Sequence, residues 1–320
     1  MAFATFRTKF KLKIQAIIPR ASISSGGASF CSFAGMTTRA ASEPVAPRPA
    51  GVTNGEPVLS FEDVRIGFEE GEVLRGLSFD LAPRETKILL GETGSGKTLA
   101  LKLAVGLLVP DSGQVRVFGR DLASLSEREL HQLRRQFGFV FQEGALFDSL
   151  TVGENVAFRM REEHVADEEV DERVREALRF VELEATSDSL PDELSGGMRR
   201  RVAIARALVN RPSIVLYDSP TAGLDPVTSQ TIIKLILRLR DVQGVASILA
   251  THRLQDGFGL ASYRFDPDAN RVIPANGDRP VGEEAAPTNF LVLRDGRAYF
   301  EGDPRALMES SDPYLKSFLE

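Results

Sequence analysis

Residues 91–98 carry the clearest chemistry in this chain: Gly91-Glu92-Thr93-Gly94-Ser95-Gly96-Lys97-Thr98. The spacing is G-x-x-x-x-G-K-[ST]. Its glycines let a backbone wrap closely around phosphate oxygens. Successive N–H groups and a helix N-terminus would then face the anion. Lys97 can reach the terminal phosphates, and the Thr98 hydroxyl can ligate Mg²⁺. An ordinary glycine-rich strand–helix turn is the competing reading, but the context is the one the motif requires. A second acid must hold the metal. Ile214-Val215-Leu216-Tyr217-Asp218 is a strand-like run ending in a carboxylate, which makes Asp218 the candidate. An Asp ending a strand is common, so Asp218 gains its weight from following the glycine loop by about 120 residues.

These residues need elements to hold them. Val58–Val64 and Val73–Leu81 read as strands, and Lys87–Leu90 as a short apolar strand feeding the loop. Leu99–Leu108 reads as the helix that follows. Val115–Phe118, Phe137–Phe141 and Val245–Ala250 read as further strands, and Thr231–Leu239 as a helix. Residues 151–185 are charged and apolar at helical spacing (Val170, Val174, Leu178, Val181), which predicts an inserted helical region. Alternating strands and helices predict a mostly parallel sheet. Residues 266–289 contain four prolines and few large apolar side chains, so a surface excursion is expected there. The strand pair Phe290–Arg294 and Arg297–Glu301 would follow, turning at Asp295-Gly296.

The composition narrows the function. The chain has 320 residues and a net charge of −6. Its first 50 residues hold seven basic side chains and one acid, so the rest carries −12. An acidic body argues against nucleic-acid binding. The single cysteine, Cys31, excludes an internal disulfide. No stretch approaches the roughly 20 apolar residues of a membrane span, so membrane contact would need a partner. The basic head lacks acids before Glu43 and is rich in Ala, Ser and Thr, as an organelle transit peptide is. A basic tail on a cytosolic protein would share that composition.

One motif narrows the class further. Leu194-Ser195-Gly196-Gly197-Met198 precedes the Asp218 strand and opens the apolar-periodic run Arg199–Val209. It resembles the signature of ABC transporter ATP-binding subunits. The resemblance spans about residues 58–305 and implies an α/β fold. That fold is a P-loop NTPase (RecA-like) core with an antiparallel β subdomain and an inserted α-helical subdomain. The expected boundaries are 1–55 for transit peptide and linker, 57–310 for the ABC nucleotide-binding domain and 311–320 for a C-terminal tail. Within the domain, about 143–205 is helical.

The resemblance also assigns roles. Gln142 would sense Mg²⁺ and the γ-phosphate, with Thr98, Gln142 and Asp218 around the metal. His252 would be the switch histidine, and Ala222-Gly223-Leu224-Asp225 the D-loop. Phe68 would stack on adenine, although a core Phe would look the same in sequence. Ser195, Gly196 and Gly197 would complete the ATP site of a second ATP-binding subunit.

The segments Phe141–Val152 and Glu193–Val202 resemble more narrowly the ATPases of Mla/Mce-type lipid transporters, Met198 included. That group implies ATP-driven movement of phospholipid, with phosphatidic acid as cargo. Its implied partners are a permease and an Mce-domain lipid-binding subunit. With the transit-like head, it implies a peripheral place on the stromal side of the chloroplast inner envelope. Two departures stand out. The family has a catalytic Glu directly after the strand-end Asp, and this chain has Ser219. The 266–289 excursion is also extra. Glu143 follows Gln142 and could supply the missing carboxylate from the other side of the γ-phosphate; a solvated loop acid is the plainer expectation. Two other functions compete: a nucleotide-binding regulatory subunit with little ATPase activity, and a soluble ABC ATPase without a permease.

Overall fold

In the computed structural model, described for residues 56–275 and 286–319, two sheets share one hydrophobic core. All described residues belong to the unit Val45–Glu320. The transit-like head and residues 276–285 of the expected excursion lie outside the described residues.

The chain begins with strands β1 (Leu59–Phe68) and β2 (Gly71–Leu81), whose alternating side chains put Leu59, Phe61, Val64, Leu77 and Leu81 inside. Strand β3 (Thr86–Gly91) is buried along its whole length, as a central parallel strand must be. It feeds the glycine loop and helix α1 (Lys97–Ala104). Strands β4 (Ser112–Val117) and β5 (Arg120–Asp121) return to the first sheet, whose order is β2-β1-β4-β5. Helix α2 (Glu127–Arg134) starts at a capping box of Ser126 and Glu129. Strand β6 (Phe137–Val140) enters the second sheet.

Three helices then leave it: α3 (Val152–Glu162), α4 (Asp167–Phe180) and α5 (Gly196–Leu208), which pack on one another. Strand β7 (Ile214–Asp218), helix α6 (Pro226–Arg238) and strand β8 (Ala246–Thr251) follow. Helix α7 (Leu254–Ser262) leads into the antiparallel pair β9 (Tyr263–Asp266) and β10 (Arg271–Pro274). Strands β11 (Thr288–Arg294) and β12 (Arg297–Gly302) close the second sheet. Helices α8 (Pro304–Glu309) and α9 (Pro313–Leu319) follow.

The second sheet runs β12-β11-β3-β8-β7-β6, parallel throughout except for the β11–β12 hairpin. Helix α1 touches β4 of the first sheet and β7 and β8 of the second. Its Leu101, Leu103 and Ala104 are buried in the common core with Leu89, Leu216 and Ile248.

Several expectations need correction. Helix α1 ends at Ala104, and the chain leaves helical conformation through Val105 and Gly106, the latter at φ +65°. Helix α6 starts five residues before its expected start, because Asp225 caps it and Pro226 opens it. The first part of the expected surface excursion is the β9–β10 hairpin. Its Pro274 ends β10, a position where the missing N–H costs no ladder bond. The expected C-terminal tail carries helix α9, whose first amides at Tyr314 and Leu315 are accepted by Asp312.

Candidate nucleotide site

The glycine loop is shaped by what surrounds it. A Cβ on Gly91 would meet Ser95 Oγ at 2.5 Å and the Leu293 carbonyl at 2.8 Å. Gly96 has φ +99° and lies against Leu74, which a Cβ would meet at 2.5 Å. Both positions therefore exclude larger residues. Lys97, directly after Gly96, folds back over the loop. Its Nζ donates to the Gly91 carbonyl at 2.8 Å and the Glu92 carbonyl at 2.7 Å. Burial lowers its pKa, and the charges of Asp218 and Glu92 oppose that. A buried ammonium held on two carbonyls fits an anion arriving from the open side. Beside it the Thr98 hydroxyl donates to Asp218 Oδ2 at 2.8 Å. A hydroxyl and a carboxylate converging from β7 and α1 form a hard oxygen pair of the kind Mg²⁺ takes. The residues present therefore fit a magnesium-bound phosphate chain.

A cleft of about 780 Å³ opens over this loop. Thr93, Gly94, Gly96, Lys97 and Thr98 line its floor, and Gln142, Ser219 and His252 line one wall. Gln142 follows β6, and His252 follows β8; both side chains are exposed. Parallel strands β6, β7, β3 and β8 thus deliver Gln142, Asp218, the glycine loop and His252 from their C-terminal ends to one place. Phe68 lies at the other end of the cleft, 58% exposed, which excludes the core reading. Val73, Leu99, Lys102, Leu107 and Leu108 join it there. These neighbours carry no motif and were not legible in the sequence.

Ser219 is buried at 8% exposure and has φ +47°, the left-handed region, just before Pro220. Its amide donates to the Ala250 carbonyl, and its own carbonyl accepts from Ala222. Glu143 is exposed and does not line the cleft. Its charge raises the pKa of the Arg200 guanidinium, against the lowering by burial.

Ser195, Gly196 and Gly197 lie elsewhere, at the start of α5, and none of them lines the cleft. Ser195 caps the helix, its Oγ accepting from the Met198 amide. Gly197 is fixed by Thr228 of α6, which a Cβ would meet at 2.3 Å. Ser195 and Gly196 are exposed, so the helix N-terminus is open to another molecule.

The ABC transporter family profile matches residues 74–222. The trigalactosyldiacylglycerol 3 protein, chloroplastic, of Arabidopsis thaliana is 36% identical over 84% of this chain and 75% of its own length. The chain belongs to the ABC transporter family. Its ATP-binding relatives include MlaF of the intermembrane phospholipid transport system of Haemophilus influenzae, 31% identical over 79% of this chain and 87% of that protein. They also include the methionine import protein MetN of Rhizobium etli, 36% identical over 74% of this chain and 64% of that protein. Among solved structures, the dimeric ATP-binding cassette MJ0796, bound to ADP and Pi after hydrolysis, aligns at TM-score 0.63 and 28% identity. That alignment covers 77% of this chain and 98% of MJ0796. The fold is thus that of an ABC cassette. Among the described residues, no helix is long and apolar enough to cross a membrane.

Proposed function

We propose that this chain binds and hydrolyses Mg·ATP as the motor subunit of a lipid transporter at an organelle envelope. One observation carries the nucleotide reading: Lys97, the Thr98–Asp218 pair, Gln142, His252 and Phe68, scattered over 185 residues, line or flank a single cleft. Lys97 and the loop amides would take the phosphates, Thr98, Gln142 and Asp218 would hold Mg²⁺, and Phe68 would stack on the base. Magnesium would neutralise charge that develops as the terminal phosphate is cleaved. Ser195 and Gly196, both exposed, and the buried Gly197 lie outside the lining of this cleft and would serve the nucleotide of a second ATP-binding subunit.

The lipid cargo rests on the Phe141–Val152 and Glu193–Val202 segments and on the similarity to the chloroplastic and phospholipid-transport relatives. A permease and an Mce-domain lipid-binding subunit are the partners this reading requires. The exposed pair Phe147 and Phe158, their rings tilted with centroids 4.5 Å apart, offers apolar surface for such a contact. The chloroplast inner envelope, with the chain peripheral on its stromal side, is the site this reading assigns. Ser219 favours a second reading, a regulatory subunit that binds nucleotide and turns it over slowly.

Lys97→Ala should weaken Mg·ATP binding at least about tenfold, because it removes the cation that meets the terminal phosphates. Calorimetric titration checks this, and unchanged affinity would refute the phosphate cradle. Affinity purification from native envelope membranes tests the cargo. Recovery of a permease with an Mce-domain protein supports lipid transport, and recovery of an amino-acid permease overturns it.

A further inference from the structure

Arg200 sits in the second turn of α5, one turn beyond Ser195, and is 7% exposed. Its guanidinium leaves the helix and caps two carbonyls of other segments. Nη1 donates to the Phe141 carbonyl at 3.0 Å, directly before Gln142. Nη2 donates to the Ala222 carbonyl at 3.3 Å, directly before Gly223. The next carbonyl back, that of Thr221, accepts from Arg253 at 3.0 Å, beside His252. The 221–222 segment is thus held by two guanidinia. One comes from the helix bearing Ser195, the other from the residue following the cleft histidine.

Other arginines on α5 also reach out to carbonyls. Arg199 takes Leu194, Arg201 takes Val181, and Arg206 takes Gly144 and Ala145. Of these four, Arg200 alone bonds both the Gln142 loop and the segment after Asp218. Burial lowers its pKa, while the charges of Glu143 and Asp218 oppose that. A buried guanidinium with two carbonyl acceptors is costly to displace.

We propose that Arg200 is a positioning residue that couples occupancy of the chain's own cleft to the placement of its Ser195–Gly197 helix end. The inference rests on the nucleotide reading above. Gln142 and Asp218 adjust when the cleft fills. Arg200 transmits that shift along its bonds to the start of α5, which presents Ser195 to the second subunit. Glu143 acts in this device as counter-charge to Arg200. It need not touch the γ-phosphate.

The test uses hydrogen exchange on the full chain, diluted until sedimentation reports a monomer, with and without Mg·ATP. In the parent, ATP slows exchange at residues 91–98 and also at 196–203 and 222–225. In Arg200→Met the effect at 91–98 remains, and that at 196–203 falls about 5- to 150-fold, the range of ordinary coupling. Arg200→Lys restores part of it. Glu143→Gln, an exposed change that spares the core, weakens the spread to 196–203 and leaves the ATP Kd unchanged; it reports on the coupling even where Arg200→Met does not fold. Protection at 91–98 without spread to 196–203 in the parent, or an undiminished spread in Arg200→Met and Glu143→Gln, overturns the inference while the nucleotide reading stands. No protection at 91–98 in the parent overturns both.

Discussion

Ser219 occupies the position directly after Asp218, on the cleft wall, with φ +47°. A non-glycine residue held there before a proline costs about 1–3 kcal/mol, and the Ala250 and Ala222 backbone bonds maintain it. The backbone is thus shaped to aim a side chain at the cleft, yet the side chain present is short and weakly basic. A positioned carboxylate base is worth roughly 10²–10⁴ in rate. Ser219→Glu should therefore raise ATP turnover by a factor within that range, measured as phosphate release under saturating Mg·ATP. Turnover equal to the parent's would mean that the missing base does not limit the rate. The motif residues were legible because their chemistry is local: Lys97 and Thr98 sit at fixed offsets from the glycines. Arg200 and Arg253 were not legible. Each caps carbonyls at least 22 residues away in sequence, and nothing in a run of arginines states which carbonyl a guanidinium will find.

The helices that hold the site depend on polar pins as well as apolar packing. Asn155 of α3 is fully buried. Its Nδ2 donates to the carbonyls of Phe147, Leu150 and Thr151, each at 3.0 Å, and its Oδ1 accepts from the Phe147 amide. One amide side chain thereby fixes the loop from Phe147 to Thr151 under the exposed Phe147–Phe158 pair. Asn155→Ala would leave several buried backbone groups unpaired, at a cost of about 2–3 kcal/mol. Chemical denaturation of the variant measures this directly. A change under about 0.5 kcal/mol would mean that the loop pairs with water instead.

Elements were readable where one face alternates or repeats, as in β1, β2 and α4. Helix α2 was missed although its Ser126–Glu129 box is visible, because its eight residues bury only Leu130 and Leu133. Helix α7 was missed because it carries Gly257 and Gly259, poor helix formers. Gly257 is there for packing: a Cβ would meet Phe290 at 2.7 Å and Ile88 at 2.9 Å.

At the scale of the molecule, the cleft and the Ser195 helix end face different directions of use. If Ser195–Gly197 serve the nucleotide of a second subunit, as proposed, this chain is half of a site, and two copies joined head to tail would complete both halves. Mg·ATP should thus shift the full chain toward a dimer, seen by sedimentation with turnover suppressed. Ser195→Arg should abolish that shift by placing charge and bulk at the exposed helix end, while the monomer still binds ATP, since Ser195 does not line the cleft. Loss of ATP binding together with dimerisation would make Ser195 a folding residue instead.

Strand β3 and its glycine loop lie early in the chain, but the neighbours of β3 in the sheet are β8 and β11. Gly91 itself rests against the carbonyl of Leu293. Every motif that could meet a nucleotide lies at or before residue 252, while the wall behind the loop is delivered by residues 288–294. During synthesis the phosphate loop therefore stays unfinished until nearly the whole chain has emerged. Pairings this distant in sequence form slowly. A chain cut after residue 275 would keep every motif and should still fail to bind Mg·ATP, as fluorescent-nucleotide anisotropy would report. The two sheet neighbours of β3 thus both arrive later in the chain, and the packing of the loop is complete only once β11 has joined β3.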